Sequence, residues 1–210
     1  MPSVYDLKPR FQGLLRPLVA ACVSRGITPN HLTLAALIGS FLAGAALLLA
    51  PGRPWVLLVL PGWLLARMAL NAMDGMAARE HGMQTRLGAV LNELGDVLSD
   101  LALYLPLVGL GPGLLWPVVA FCLGAVISEF AGVLGQALGA RRHFEGPMGK
   151  SDRAFVAGAL GLITAFLPRL LALWPVVLAA AALLTVPTTV NRLRAALREL
   201  PGTAGPGASS

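Results

Sequence analysis

Acidic side chains are scarce in this chain. Ten Asp and Glu stand against sixteen Lys and Arg in 210 residues, and charged residues of both signs make up only 12%. A soluble domain carries about twice that share of charge, so a water-facing surface all round is excluded. Cysteine is nearly absent: Cys22 and Cys122 stand far apart in apolar sequence, with no CxxC pair and no Cys/His cluster. That excludes a disulfide framework and a zinc site, and leaves both thiols as core packing. Aromatic residues amount to 6%, and no aromatic-basic recognition motif accompanies the net charge of +6, so nucleic acid is excluded as a partner. The first 28 residues lack a tidy apolar stretch ending in a small-residue cleavage site, so the N-terminus is expected to be retained.

Apolar sequence is what abounds, at 56% hydrophobic residues with a mean hydropathy of +0.74. Crossing the hydrocarbon core takes about 20 helical residues, and six runs of that order occur. They cover about 31–50, 54–79, 86–109, 114–140, 152–168 and 173–197, with breaks at Pro51-Gly52, Gly111-Pro112 and Pro168. Basic residues gather at alternate connections. Lys8, Arg10, Arg16 and Arg25 precede the first run, Arg79 and Arg86 follow the second, and Arg141, Arg142, Lys150 and Arg153 follow the fourth. Arg192, Arg194 and Arg198 close the sixth, whereas Arg53 and Arg169 alone fall on the other side. The positive-inside rule then predicts an all-α integral membrane protein with six transmembrane helices and both termini cytoplasmic. Residues 1–28 contain an interfacial helix, since Tyr5 to Val23 mixes Leu14, Leu15, Leu18 and Val19 with Lys8, Arg10 and Arg16. One membrane-embedded domain spans 1–200, and the tail at 201–210 (PGTAGPGASS) is expected to be disordered.

Against this background, residues 71–100 (NAMDGMAAREHGMQTRLGAVLNELGDVLSD) are anomalous. Asn71 and Asp74 are three apart, and Asn92, Asp96 and Asp100 recur every four, so each set lies along one helical stripe at the cytoplasmic end of its span. Ionisable groups at membrane depth are costly and mark function. Oxygen ligands without Cys or His favour a hard cation, Mg²⁺ or Mn²⁺, of the kind that binds through a few carboxylates and substrate phosphates. The chemistry this suits is phosphoryl transfer, with one carboxylate accepting the proton of an attacking hydroxyl.

The stretch resembles the signature of the CDP-alcohol phosphotransferase (CDP-alcohol phosphatidyltransferase) family, D-x2-D-G-x2-A-R-x8-G-x3-D-x3-D. Its places are taken by Asn71, Asp74, Gly75, Ala78, Arg79, Gly88, Asn92 and Asp96 with every spacing intact, and "GITPNHLTL" at 26–34 resembles the family's Pro-Asn-x-x-Thr element. The resemblance implies a bacterial-type inner-membrane enzyme with its active site facing the cytoplasm. It would transfer a phosphatidyl group from CDP-diacylglycerol to a small alcohol, releasing CMP, as a homodimer working in phospholipid synthesis. It implies metal binding by Asn71, Asp74, Asn92 and Asp96, catalysis by Asp96 as base with Asp74, and nucleotide binding by Asp74, Gly75, Ala78, Arg79 and Gly88.

Two signature aspartates are asparagines here, so the site has lost two negative charges. Glu93, Asp96 and Asp100, spaced by three and four, would offer three carboxylates on a slightly rotated helix. Lys150, Arg153, Arg192 and Arg141, joined by Arg142, would supply a basic acceptor pocket, with "GPMGKSDR" at 146–153 as a flexible loop closing on it. Glycerol 3-phosphate is the first-choice acceptor because that face is basic; serine, an inositol phosphate, or diacylglycerol accepting a CDP-linked head group stay open. The asparagines also allow a relative that binds a CDP-lipid or a partner without turnover. Glu129 is expected to pair with Arg67 or to line the cavity, with the ion pair preferred; His31, His81 and His143 are expected to be interfacial, and Gly39 and Gly44 to permit close helix packing.

Overall fold

The computed structural model describes residues 4–50 and 52–200, with side chains from residue 11. The tail at 201–210 lies outside the described residues. The described residues form helices and connecting turns, with no strand among them. The helices are α1 (Val4–Ser24), α2 (Pro29–Leu49), α3 (Val59–Glu80), α4 (Arg86–Tyr104), α5 (Leu115–Ala137), α6 (Lys150–Phe166) and α7 (Trp174–Glu199). Single 3₁₀ segments lead into α3 (Pro54–Leu58) and α7 (Pro168–Leu173) and extend α4 (Leu105–Leu110).

The boundaries follow local chemistry. Thr28 caps α2 in extended conformation, accepting from the His31 N–H while the His31 ring accepts from the Thr28 N–H, and Pro29 fills a position that needs no donor. His31 is therefore a helix cap as well as a residue at the span boundary. Thr85 caps α4 by accepting from the Gly88 N–H at 2.9 Å. At α6, Asp152 reaches back to the Gly149 N–H at 2.9 Å. The prolines at 9 and 17 fall inside α1, which stays helical through both.

Four segments are long and apolar enough to cross a bilayer: Pro29–Leu49, Pro54–Glu80, Leu115–Ala137 and Pro168–Glu199, with hydropathies of 2.3, 1.6, 2.0 and 2.2. The other two expected spans, α4 and α6, fall short on those measures for a physical reason. α4 carries Glu93, Asp96 and Asp100, and α6 has 17 residues opening on Lys150, Asp152 and Arg153.

Burial is inverted relative to a soluble bundle. Leu49, Trp116 and Phe155 are 84%, 76% and 76% exposed, while Arg153 and Arg192 are 0% and 1% exposed. Such a distribution is stable only where the surrounding medium is hydrocarbon. An apolar core around Leu60, Leu103, Leu107, Phe121, Trp174 and Leu178 fills one end. Trp174 donates to Thr164 at 2.8 Å and Trp63 to Ser40 at 2.9 Å, so each indole N–H is satisfied within the bundle. A second cluster, Leu15, Val19, Leu32, Met73, Met76 and Ala77, docks α1 onto α2 and α3 and leaves Leu14 and Leu18 facing outward. Close crossings rest on small residues: a Cβ on Gly44 would stand 2.0 Å from the Ala102 carbonyl oxygen on α4, and one on Gly124 2.2 Å from the Thr185 hydroxyl on α7. The polar cluster thus sits at the opposite end from the apolar core, where α2, α3, α4 and α6 converge.

Candidate active site

α3 and α4 present their polar stripes to one another. The Asn71 amide donates to Asp96 Oδ1 at 3.1 Å, and Arg67, one turn earlier on α3, donates to Asp100 Oδ1 at 2.6 Å. Arg67 also reaches the Asp96 carbonyl at 3.0 Å and Asp96 Oδ1 at 3.4 Å. From the first turn of α6, the Lys150 ammonium pairs with the same Asp96 oxygen. Asp96 is therefore fixed by three donors from two other helices, all on one oxygen, and its second oxygen takes none of these contacts. Asp74 is held separately, by the Thr33 hydroxyl of α2 donating to Oδ2 at 2.9 Å.

Two cavities meet at this point. One, of about 640 Å³, is polar and lies between α2, α3 and the start of α4. Asn71, Asp74, Gly75, Ala78, Arg79, Gly88 and Asn92 line it together, with Asn30 and Thr33 opposite. A Cβ on Gly88 would stand 2.8 Å from Asn30 Oδ1 and 2.9 Å from the Thr85 hydroxyl, so a larger residue here would push both side chains aside. The other, of about 600 Å³, is an apolar groove between α3 and α6 lined by Leu64, Leu65, Met68, Ala154, Phe155 and Leu162, among others. Its polar lining is Arg67, Asn71, Lys150 and Ser151. Asn71 borders both cavities and hydrogen-bonds Asp96.

The remaining acidic residues do not join this junction. Asp100 is buried, with Oδ1 on Arg67 and Oδ2 on Arg153 at 3.1 Å. Glu93 turns to Arg142 at 2.7 Å, on the side of α4 away from the polar cavity. The rotated trio of Glu93, Asp96 and Asp100 is thus not assembled, because Glu93 is turned to Arg142 and Asp100 is enclosed between Arg67 and Arg153. Among the described residues no three His, Cys, Asp or Glu side chains converge as a metal cage would need. Asp74 and Asp96 with the amide oxygens of Asn71 and Asn92 are the oxygen donors at hand, a set that suits one hard cation sharing its coordination with phosphate oxygens.

The basic residues are also distributed differently from expectation. Arg141 is exposed and tied to Glu199 at 2.6 Å, away from Asp96. Arg153 and Arg192 are buried and converge with Arg142 on Glu129, at 3.0, 3.3 and 3.0 Å. Arg67, the expected partner of Glu129, is instead committed to Asp96 and Asp100. Of the expected acceptor set, Lys150 alone touches the junction. The 146–153 segment, expected to be a flexible loop, is pinned to α7. Met148 N–H donates to the Thr188 hydroxyl at 2.9 Å, and Gly146, at φ 137°, lies where a Cβ would meet Thr188 Cα at 2.5 Å. Asn30 and Thr33 of the Pro-Asn-x-x-Thr element, for which the spacing alone indicates no role, form part of the cavity wall.

The model of the CDP-alcohol phosphatidyltransferase family matches residues 26–191. Inner membrane protein YnbA of Escherichia coli is 45% identical over 195 residues, covering 93% of this chain and 96% of that one. Phosphatidylinositol phosphate synthase of Streptomyces avermitilis is 28% identical over 201 residues, 90% of this chain and 80% of that one. Among solved structures, phosphatidylinositol phosphate synthase of Mycobacterium tuberculosis with CDP-DAG bound has a TM-score of 0.75 at 22% identity, covering 92% of this chain and 98% of that one. The same protein in complex with manganese and citrate also gives 0.75, over 91% and 92%, in keeping with a family that depends on divalent metal. At that identity the likeness establishes the shared fold. With the matched segment spanning most of the chain and the signature spacing intact, this membrane protein is an enzyme of the CDP-alcohol phosphatidyltransferase family.

Proposed function

We propose that this enzyme transfers the phosphatidyl group of CDP-diacylglycerol to a small alcohol, releasing CMP, at the cytoplasmic face of a bacterial-type inner membrane. The observation that carries this reading is the meeting of a polar cavity and an apolar groove at Asn71, one hydrogen bond from Asp96. A nucleotide in the first and acyl chains in the second would place the connecting pyrophosphate at their junction. The alternation of basic connections supports six crossings with both termini cytoplasmic, α4 and α6 spanning with their charges turned inward. α1 then lies along the cytoplasmic surface, its Leu14 and Leu18 facing lipid. The active form is the homodimer that the family resemblance implies.

In this scheme Asp74, Gly75, Ala78, Arg79 and Gly88 bind the cytidine diphosphate end. Arg79 contributes positive charge to the phosphates, and Gly88 lets the α4 backbone approach closely. Asp96, with one oxygen held by Asn71, Arg67 and Lys150, keeps its other oxygen for the acceptor hydroxyl and removes its proton. The hydroxyl oxygen forms a bond to the phosphorus that carries diacylglycerol, the bond from that phosphorus to the CMP oxygen breaks, and CMP leaves. A Mg²⁺ or Mn²⁺ held by Asp74 and Asp96 with the Asn71 and Asn92 amides would neutralise the pyrophosphate. With amides at two of four positions, these residues would suit one such ion rather than two.

The test is CMP release by purified protein given CDP-diacylglycerol, Mg²⁺ or Mn²⁺, and a panel of alcohols, beside Asp74→Ala and Asp96→Ala. Acceptor-dependent release abolished in both variants is expected. Release no greater than in the variants, in every mixture, sinks the proposal.

A further inference from the structure

The basic residues that suggested a phosphorylated acceptor turn out to be compensated within the protein. Arg67 faces Asp96 and Asp100; Arg142 faces Glu93 and Glu129; Arg153 faces Asp100 and Glu129; Arg192 faces Glu129 and the Ser128 carbonyl; Lys150 faces Asp96. Five cations thus meet four carboxylates, which leaves a single positive charge in surplus. A phosphate monoester carries nearly two negative charges at neutral pH. Binding one beside this cluster would require either breaking a buried pair, which strands its partner carboxylate, or burying surplus negative charge. Arg153 and Arg192 offer no face outward, being 0% and 1% exposed.

While nearly balanced in charge, the cluster is short of hydrogen-bond acceptors. The Nε–H groups of Arg67, Arg142, Arg153 and Arg192 are buried and have no partner among the described residues. Such donors are costly to leave unmet. The same enclosure closes them to a ligand phosphate. We infer from the compensated charge that the acceptor is an alcohol bearing no phosphate. Glu129, which alone collects three arginines, is the residue that sets this preference by cancelling the charge a phosphate would use. This inference rests on the transferase reading above and selects among its substrates.

The experiment pairs acceptors that differ only in phosphorylation, glycerol with glycerol 3-phosphate and inositol with inositol 1-phosphate, in the CMP-release assay. In at least one pair kcat/KM should be about tenfold or more higher for the unphosphorylated member. The reverse order in a productive pair overturns the inference while leaving the transferase reading intact. A second arm needs no turnover: calorimetric titration of glycerol 3-phosphate into protein saturated with CDP and Mg²⁺. Wild type should show no saturable binding up to about 10 mM, and Glu129→Gln should bind at least about tenfold more tightly. Glu93→Gln, more exposed, serves as the second variant should Glu129→Gln fail to fold. Submillimolar binding to wild type that is lost in Arg142→Ala, or no gain in whichever variant folds, overturns it. Should no acceptor of either kind release CMP, the transferase reading fails and this titration alone decides the charge argument.

Discussion

The two sides of α4 solve opposite problems. On the side facing α2 and α3, Asp74, Arg79 and Asn92 border an open cavity, and the fixed contacts are hydrogen bonds from neutral groups such as Thr33. On the side facing α5, α6 and α7, Glu93 and Asp100 meet arginines in a closed network with little solvent access. The first leaves its charges for a ligand; the second uses them up on itself. Asp96 sits at the boundary, with one oxygen given to the network and the other outside its contacts, so substitutions on the two sides should separate into losses of activity and losses of stability.

The largest effect is expected at the boundary itself. Asp96→Asn should lower CMP release by ~10²–10⁴-fold, the range for loss of a general base, with CDP binding little changed. A parallel loss of CDP affinity would move Asp96 into the nucleotide site and break the division. Next comes the closed side. Arg153→Met strands Asp100 and Glu129 without a shared partner, and removal of one member of a buried pair costs ~3–5 kcal/mol. Thermal unfolding in detergent should show a large drop in midpoint. Arg79→Gln, on the open side, should weaken CDP binding while changing stability by less than ~0.5 kcal/mol. Equal midpoints for the two variants would erase the comparison.

Restoring the family's carboxylates sharpens it further. Asn71→Asp with Asn92→Asp adds two negative charges to the open side, where metal affinity follows ligand charge, so Mn²⁺ should bind about tenfold or more tightly by electron paramagnetic resonance of the free ion. Unchanged affinity would remove both positions from the metal site. A smaller effect belongs to Gly88→Ala, whose methyl would push on Asn30 and Thr85 at the cavity wall. The KM for the CDP-lipid should rise several-fold, about 1 kcal/mol of donor affinity, with kcat less affected.

The open side was legible in the sequence and the closed side was not, for a physical reason. Asn71, Asp74, Arg79, Gly88 and Asn92 belong to two helices joined by a short turn, so their spacing alone places them on facing stripes. Helix limits were equally local, set by Thr28-Pro29, Thr85 and the proline in the first two residues of each 3₁₀ segment. Arg67, Asp100, Glu129, Arg153 and Arg192 come from five helices, and which of them meet depends on the rotation of each helix about its axis. Spacing within one helix carries no information on that. Glu129 and Arg67 are both lone charges at membrane depth, which makes them look like partners in sequence; in the fold three arginines lie closer to Glu129 and two aspartates closer to Arg67. The same gap made Arg141 and Arg153 look equivalent in sequence although one is bound to Glu199 at the surface and the other is wholly enclosed.

The smallest effect is expected where the closed side reaches water. His143 bridges Glu145 at 3.0 Å and Glu199 at 2.9 Å, tying the α5–α6 connection to the end of α7. Hydrogen bonds to those two carboxylates, Glu145 first, raise the imidazole pKa above its ordinary value. A raised pKa means that the protonated form is favoured in the folded state, so the clamp is fully present below the ordinary histidine value and is lost as pH rises through the raised one. Amide exchange in residues 139–149, corrected for its intrinsic pH dependence, should therefore show protection falling as pH rises above the ordinary histidine value. The fall is expected to be partial, because Arg141 holds Glu199 through both its backbone N–H and its guanidinium and does not titrate in that range. His143→Gln should flatten the profile at the less protected level. A profile unchanged by that substitution would show that Arg141 alone fastens the connection, and the pinned Met148 and Gly146 would then owe nothing to pH.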